Sequence, residues 1–242
     1  MRSTMPRMAR LVPPFTDKVC AVRLIFVTFG MKRESPRPRG RPLAFDVDAA
    51  LDAAVGVFWA KGYDAASLED LTRAMAINRP SLYAKFGNKH NLFMAAIDRY
   101  AATISQPQTI PLATEKNVET AVRGYFSEIV KCVASPNHPA GCLIASVATE
   151  LAVRDPEVRQ KVTALLSGAE NFIETRLQQV QYGTDGRGPT AKVAAAMIVA
   201  VGQSLASRAR LGATPDELEA VADGFADQVF HADPESRLSG EF

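Results

Sequence analysis

The sequence predicts an all-α protein: an N-terminal three-helix unit built on a helix-turn-helix, followed by a C-terminal helical domain. Three observations predict it. From Asp46 onward, apolar residues recur at spacings of three and four, the period of helices buried along one face. Helix punctuation bounds those runs, with Ser67, Pro80, Pro156 and Pro215 near starts and Gly62 and Gly87 near stops. Hydrophobic residues make up 47% of the 242 residues and charged residues 22%, a globular balance with enough chain to bury a substantial core. No apolar run reaches the length of a membrane-spanning helix.

Residues 1–41 read as a basic arm, expected to be poorly ordered. Val19 to Gly30 is apolar apart from Arg23, and Arg2, Arg7 and Arg10 precede it, as in a secretory leader. Pro13, Pro14 and Asp17 interrupt that pattern and no small-x-small cleavage site follows, so a leader is disfavoured. Met31 stands immediately before the basic MKRESPRPRGRP and is an alternative start. Within that stretch RPRGRP resembles the core of an AT-hook, whose arginines lie in a narrow minor groove. Arg39 and Arg41 are its candidate contacts; a disordered basic linker is the competing reading.

The three-helix domain is expected over 42–104. Val47, Leu51, Ala54, Val55 and Phe58 share one face of a first helix that Asp46 or Asp48 opens and Gly62 stops. The stretch SLEDLTRAMAINRPSLYAKF, residues 67–86, then reads as two short helices and a tight turn. Ser67 caps the first, with Asp70 in the place of a capping-box acid. Leu68, Leu71, Ala74 and Met75 line its buried side. Ile77 and Asn78 break the run, and Pro80 suits the first turn of the next helix because its missing amide hydrogen would have had no partner there. Leu82 and Phe86 anchor that helix.

Outward it leaves Asn78, Arg79, Ser81, Tyr83 and Lys85, none of them acidic. Such a face suits a DNA major groove, where Arg and Asn read base edges while hydroxyls and Lys hold phosphates. A solvated helical hairpin is the alternative. Lys89 lies in the first turn of the next helix, where a cation opposes the helix dipole unless a phosphate shares the site. His90 beside it reads as a solvated surface residue. Charge points the same way: residues 1–100 hold 16 Lys plus Arg against 9 Asp plus Glu, and residues 101–242 hold 12 against 17. A polyanionic partner is therefore favoured for the first part only.

GRP at 40–42, FWAKGYDAASLEDLTRAM and NRPSLYAKFGNKHNLF together resemble the DNA-binding domain of TetR/AcrR-family transcriptional regulators, over roughly residues 40–100. The resemblance implies that Asn78 to Phe86 is the recognition helix. It also implies phosphate contacts at Ser67, Tyr83 and Lys89, with Asn78, Arg79 and Ser81 nearest the bases. Two departures are small: Ala76-Ile77 stands where Gly-Val or Gly-Ile is commoner, and Phe-Gly-Asn replaces a common Phe-x-Ser or Tyr-x-Ser.

Residues 105–117, with Pro107 and Pro111, read as a linker, and 118–233 as an effector-binding and dimerisation domain ahead of a flexible tail, 234–242. Helices are expected from Val118 to Val133, Cys142 to Val153, Pro156 to about Tyr182, Thr190 to Leu211 and Pro215 to Phe230. The penultimate helix is rich in small residues, among them Ala194, Ala200, Gly202, Ala206 and Ala209. The resemblance implies that the last two helices pair with those of a second subunit, so that a near-palindromic operator is required; an alanine-rich intramolecular core is the alternative.

A small-molecule effector is expected among the helices between 118 and 211, with Phe126, Ile129, Cys142, Ser146, Glu150, Phe172 and Arg176 as candidates by helix position. No cofactor is implied. His90, His138 and His231 are scattered, and no G-x-S-x-G, H-E-x-x-H or P-loop pattern is present. Cys132, His138 and Cys142 lie within eleven residues but lack a fourth zinc ligand at suitable spacing. Cys142 is a candidate redox thiol, with a core position favoured over it. Three cysteines with no disulfide framework fit a reducing cytoplasm. The expected function is a ligand-responsive, homodimeric DNA-binding regulator, a repressor by family resemblance. A helical enzyme using the C-terminal cavity, or an adaptor that has lost DNA binding, are the rivals.

Overall fold

The computed structural model describes residues 45–184 and 188–230, and these are helical with no strand among them. Arg39, Arg41, the rest of the basic arm and the tail from residue 234 lie outside the described residues. Four helices form the head: α1 Val47–Lys61, α2 Leu68–Ala74, α3 Arg79–Phe86 and α4 Lys89–Tyr100. Each starts on a side-chain cap. The Asp46 carboxylate accepts the amides of Asp48 and Ala49, and Asn88 accepts that of Asn91 at 2.7 Å. Ser67 and Asp70 close a full capping box, with Ser67 Oγ accepting the Asp70 amide at 3.0 Å and Asp70 Oδ2 accepting the Ser67 amide at 3.1 Å. Asp70 therefore does the work of the commoner Glu.

The turn between α2 and α3 is made by Ala76, whose φ of 52° lies in the left-handed region. An L-residue is strained there because its Cβ crowds the backbone, which accounts for glycine being the commoner residue at this place. α1 packs along α4, and the short α2 and α3 close the head from one side. Phe58, Trp59, Leu71, Leu82, Leu92, Phe93 and Ile97 are buried at the centre, with Phe58 meeting Phe93 edge-on at 4.9 Å between ring centroids.

The stretch expected as a linker is largely helical as far as Thr114. α4 runs without a break into a π-helical segment, Ala101–Ser105, then a helical turn, Gln106–Gln108, and α5, Ile110–Thr114. Pro107 follows the π-helical segment within one continuous helical run, and Pro111 falls in the first turn of α5, where proline lacks no hydrogen bond that the helix needs. Leu112 is buried, and α5 presses so closely on the next helix that a Cβ at Gly124 would lie 2.7 Å from Pro111. Two prolines in sequence signalled an irregular connection; buried Leu112 and the Gly124 contact hold it helical instead.

The body consists of α6 Val118–Val133, a π-helical segment Ile144–Ala148 leading into α7 Thr149–Ala152, α8 Pro156–Gln179, α9 Ala191–Arg210 and α10 Pro215–Phe230. α6, α8, α9 and α10 pack on one another around Phe126, Ile129, Val130, Ile173, Leu177, Ile198, Leu205 and Leu218. The small residues of α9 serve this packing: Ala194, Gly202, Ala206 and Ala209 are buried within the chain, and a Cβ at Gly202 would stand 3.0 Å from Ile129. The head's core does not end at α4. Leu143, Ile144, Val147, Leu151, Val158 and Val162 of the body belong to the same buried cluster as Phe58 and Leu92.

Replacing Ala76 with glycine relieves the left-handed strain at an exposed position where no packing is lost. Ala76→Gly is expected to raise stability by about 0.5–1 kcal/mol, seen as a higher urea midpoint with an unchanged slope. A midpoint that stays or falls contradicts the assignment of strain to this turn.

Candidate nucleic-acid interface

α3 is held from below by Leu82, fully buried, and Phe86. Its opposite side presents Arg79, Tyr83 and Lys85, all exposed, with Ser81 half-buried beside them. Among the described residues, these three long side chains make no ion pair or hydrogen bond within the chain, and Tyr83 is 46% exposed. The helix carries no acid. The acids next to it on α2 are neutralised: Glu69 pairs with Arg73 at 2.6 Å and Asp70 with Lys61 at 2.7 Å. Lys61 and the Ser67 hydrogen bonds hold the Asp70 carboxyl well below the usual carboxylate range. The outward face of α3 therefore offers cations, hydroxyls and one amide, with no unpaired carboxylate alongside.

Three of the sequence-predicted contacts have structural duties as well. Asn78 is the N-cap of α3, its side-chain oxygen accepting the Ser81 amide at 2.9 Å, which leaves its NH₂ group unengaged and available to read a base. The Ser67 hydroxyl accepts from the Asp70 amide and donates to Asp70 Oδ2 at 2.8 Å, which commits it to the capping box. Lys89 turns back on the loop after α1: its Nζ donates to the Asp64 carbonyl at 3.3 Å and sits 4.7 Å from the centre of the Tyr63 ring. Burial there lowers its pKa, opposed by the charge of Asp64.

His90 is not a solvated surface residue. Its Nε2 lies 2.9 Å from Asp155 and its Nδ1 3.9 Å from Glu157, which ties the start of α4 to the start of α8. Lys161 with Asp98, and Arg154 with Asp64, make two further ion pairs between head and body. Spacing along the chain carries no sign of these pairs, because each partner lies more than sixty residues away.

Among the described residues, the effector candidates do not share either of two clefts. Phe126 and Ile129 are buried in the body core, where they pack against neighbours. Cys142 is half-buried between the two cores, Phe172 flanks the second, and Ser146 bonds the Cys142 carbonyl at 2.5 Å and Arg210 at 3.3 Å. Arg176 donates to the Glu115 carbonyl at 2.6 Å and to Gln179 at 2.8 Å. Glu150 borders a cleft of about 230 Å³ between the end of α1 and α7 that Lys61, Tyr63, Asp64 and Arg154 also line. A second cleft, of about 330 Å³, lies elsewhere, between the π-helical segment after α4 and the end of α6; Thr103, Ile104, Gln108, Cys132, Ser135 and His138 line it. Of its lining residues, the sequence singles out Cys132 and His138 only as an incomplete zinc set; the approach of Thr103 and Ile104 to them is a tertiary contact. Among the described residues no three metal-ligating side chains come together, and no helix is long and apolar enough to cross a membrane.

Comparison with known proteins places this geometry in context. Residues 50–96 match the family "Bacterial regulatory proteins, tetR family", and residues 119–225 match "Tetracyclin repressor-like, C-terminal domain". The chain is 36% identical over 192 residues to the HTH-type transcriptional repressor ComR of Escherichia coli strain K12, covering 77% of this chain and 90% of that protein. It is 34% identical over 143 residues to the HTH-type transcriptional repressor BdcR of the same organism, covering 59% of this chain and 70% of the other. A solved structure of a cysteine mutant of the TetR family transcriptional regulator CifR, complexed with 26-bp double-strand operator DNA, superposes with a TM-score of 0.67 at 31% identity, over 78% of this chain and 98% of that one. Head and helical body thus agree with matches over both parts of the sequence, and the chain belongs to the TetR family of bacterial transcriptional regulators.

Proposed function

We propose that the protein is a ligand-responsive repressor that binds a near-palindromic operator as a homodimer and is released by a small molecule held in the body. The observation that carries this reading is the face of α3, where Arg79, Tyr83 and Lys85 stand exposed, acid-free and without partners in the chain. Likeness to an operator-bound structure supports the same use of that face.

In the proposed complex Arg79, Ser81 and the Asn78 amide meet base edges, while Tyr83 and Lys85 hold phosphates. Ser67 lies close to the backbone at the start of α2. Lys89 reaches a phosphate by exchanging the Asp64 carbonyl for it. The two copies pair through α9 and α10, whose outward side carries Val193 at 50% exposure and Met197 at 41%, with Ala196 and Ala200 exposed between and beyond them. Two-fold symmetry then sets the α3 helices about one DNA turn apart, roughly 34–36 Å. A ligand that favours a different spacing weakens operator binding by its differential affinity for the two forms. Regulation without catalysis, in the cytoplasm, is part of this proposal; the relatives are named as transcriptional repressors.

Sequencing genomic fragments retained by the purified protein tests the reading directly, since a near-palindrome should emerge. On that operator, affinity should fall steeply with salt. Arg79→Ala should relax base choice at one position by about 1–3 kcal/mol, and Lys85→Ala should weaken all sequences alike while lowering the salt slope by about one. Retention of both affinity and preference in Arg79→Ala would remove α3 from the interface. Asn78→Asp separates two roles, because Asp caps a helix as well as Asn does but offers no donor and adds a negative charge. Its unfolding midpoint should stay within a few tenths of a kcal/mol of the parent while operator binding drops at least about tenfold, a loss of about 1.4 kcal/mol.

A further inference from the structure

We infer that the cleft beside α6 is the effector site, and that Cys132 and His138 form a thiol–imidazole pair there that takes a soft carbon electrophile of the α,β-unsaturated carbonyl or imide class. This rests on the regulator reading and names the ligand chemistry within it. Cys132 Sγ lies 3.8 Å from His138 Nε2, and His138 Nδ1 lies 3.2 Å from the Pro139 carbonyl. A carbonyl oxygen only accepts, so Nδ1 carries the ring hydrogen and the lone pair of Nε2 faces the thiol. Both residues line the cleft of about 330 Å³, within the size range of small-molecule sites. Around them stand donors for a carbonyl oxygen, Gln108 and Ser135, and apolar surface from Ile104 and Pro107.

The chemistry closes without an external oxidant. The Cys132 proton passes to His138 Nε2, and the thiolate attacks the β-carbon of the conjugated system. The C–S bond forms as the C=C pair moves toward the carbonyl to give an enolate, and the imidazolium returns its proton to the α-carbon. Burial pushes the Cys132 thiol up to about 11, against the lowering effect of a hydrogen bond with Gln108. The resting thiol is therefore protonated, and its attack depends on the base beside it. Cys142 differs. It bonds the Tyr100 side chain, receives the Ala145 amide at 3.5 Å and borders neither cleft.

The pair is wired to the head. Trp59 of α1 stacks on the His138 ring at 4.5 Å and 22°, and meets Tyr100 edge-on at 5.0 Å. Its buried indole N–H has no hydrogen-bond partner among the described residues. Thr103 and Ile104, on the opposite wall, belong to the helix that continues α4. An adduct on Cys132 therefore lies against the helix that continues α4 and beside the His138 ring on which Trp59 of α1 stacks.

The test uses the full chain with Cys20→Ser and Cys142→Ser, leaving Cys132 as the one thiol, and N-ethylmaleimide as the probe. Intact mass should rise by one adduct, His138→Gln should slow that labelling at least about tenfold, and the labelled protein should lose at least tenfold in operator affinity. A second chain with Cys20→Ser and Cys132→Ser, which keeps Cys142, should hold its operator affinity under the same treatment. Equal labelling rates with and without His138, or full operator affinity after complete labelling of Cys132, overturns the inference. If His138→Gln fails to fold, the comparison of the Cys132-only and Cys142-only chains decides it. Operator binding is measured first on unlabelled protein: its absence overturns the regulator reading, while the labelling rates still judge the pair.

Discussion

The structure depends on one buried apolar cluster that the head cannot complete by itself. Phe58, Trp59, Leu92, Phe93 and Ile97 fill the space between α1 and α4, and Leu143, Val147, Leu151 and Val158 from the body seal it. A four-helix head of this size buries too little surface to be firmly stable alone, so sharing a core with the body supplies the missing area. The same sharing prevents the head from swinging freely. Any displacement of α4 must repack side chains from Leu143 to Val162, and close-packed interiors change between discrete arrangements more readily than they deform.

Around that cluster the polar contacts set direction. His90 with Asp155, Lys161 with Asp98, and Arg154 with Asp64 lie at the rim of the joint between head and body. Most are partly exposed, so each contributes little to stability, and their effect is to favour one orientation over others. α4 itself leaves the head as a continuous helix and widens into a π-helical segment, Ala101–Ser105, before it meets α5. Such a segment is a common feature of functional sites in helices, and here it forms one wall of the larger cleft.

Two of the proposed DNA contacts of the head, Asn78 and Ser67, are also helix caps. Asn78 and Ser67 are the residue types that both start helices and touch DNA, and the structure spends their oxygens on backbone amides. What remains for a partner is the Asn78 amide and the side chains of Arg79, Tyr83 and Lys85, held in place because Leu82 and Phe86 are locked beneath them. The stiffness of a short helix thus comes from its two buried anchors and its cap; eight residues have too little intrinsic helicity to stand alone.

Much of this was legible in the residues themselves. Apolar spacing and caps placed α1, α2, α3, α4, α6, α8, α9 and α10 to within a few residues, because helix periodicity and end chemistry are local properties. The order of Gly-Tyr, Ser-Leu and Asn-Arg-Pro-Ser-Leu-Tyr carries the family resemblance, which implies that α3 is the reading helix. Only the tertiary structure decided that 105–114 is largely helical, that His90 and Lys89 turn to partners in their own chain, that Ala194, Gly202, Ala206 and Ala209 of α9 are buried in its own chain's core while Ala200 is exposed, and that His138 lies between Trp59 and Cys132. Those outcomes rest on contacts between groups far apart in the chain, which spacing along a sequence does not encode.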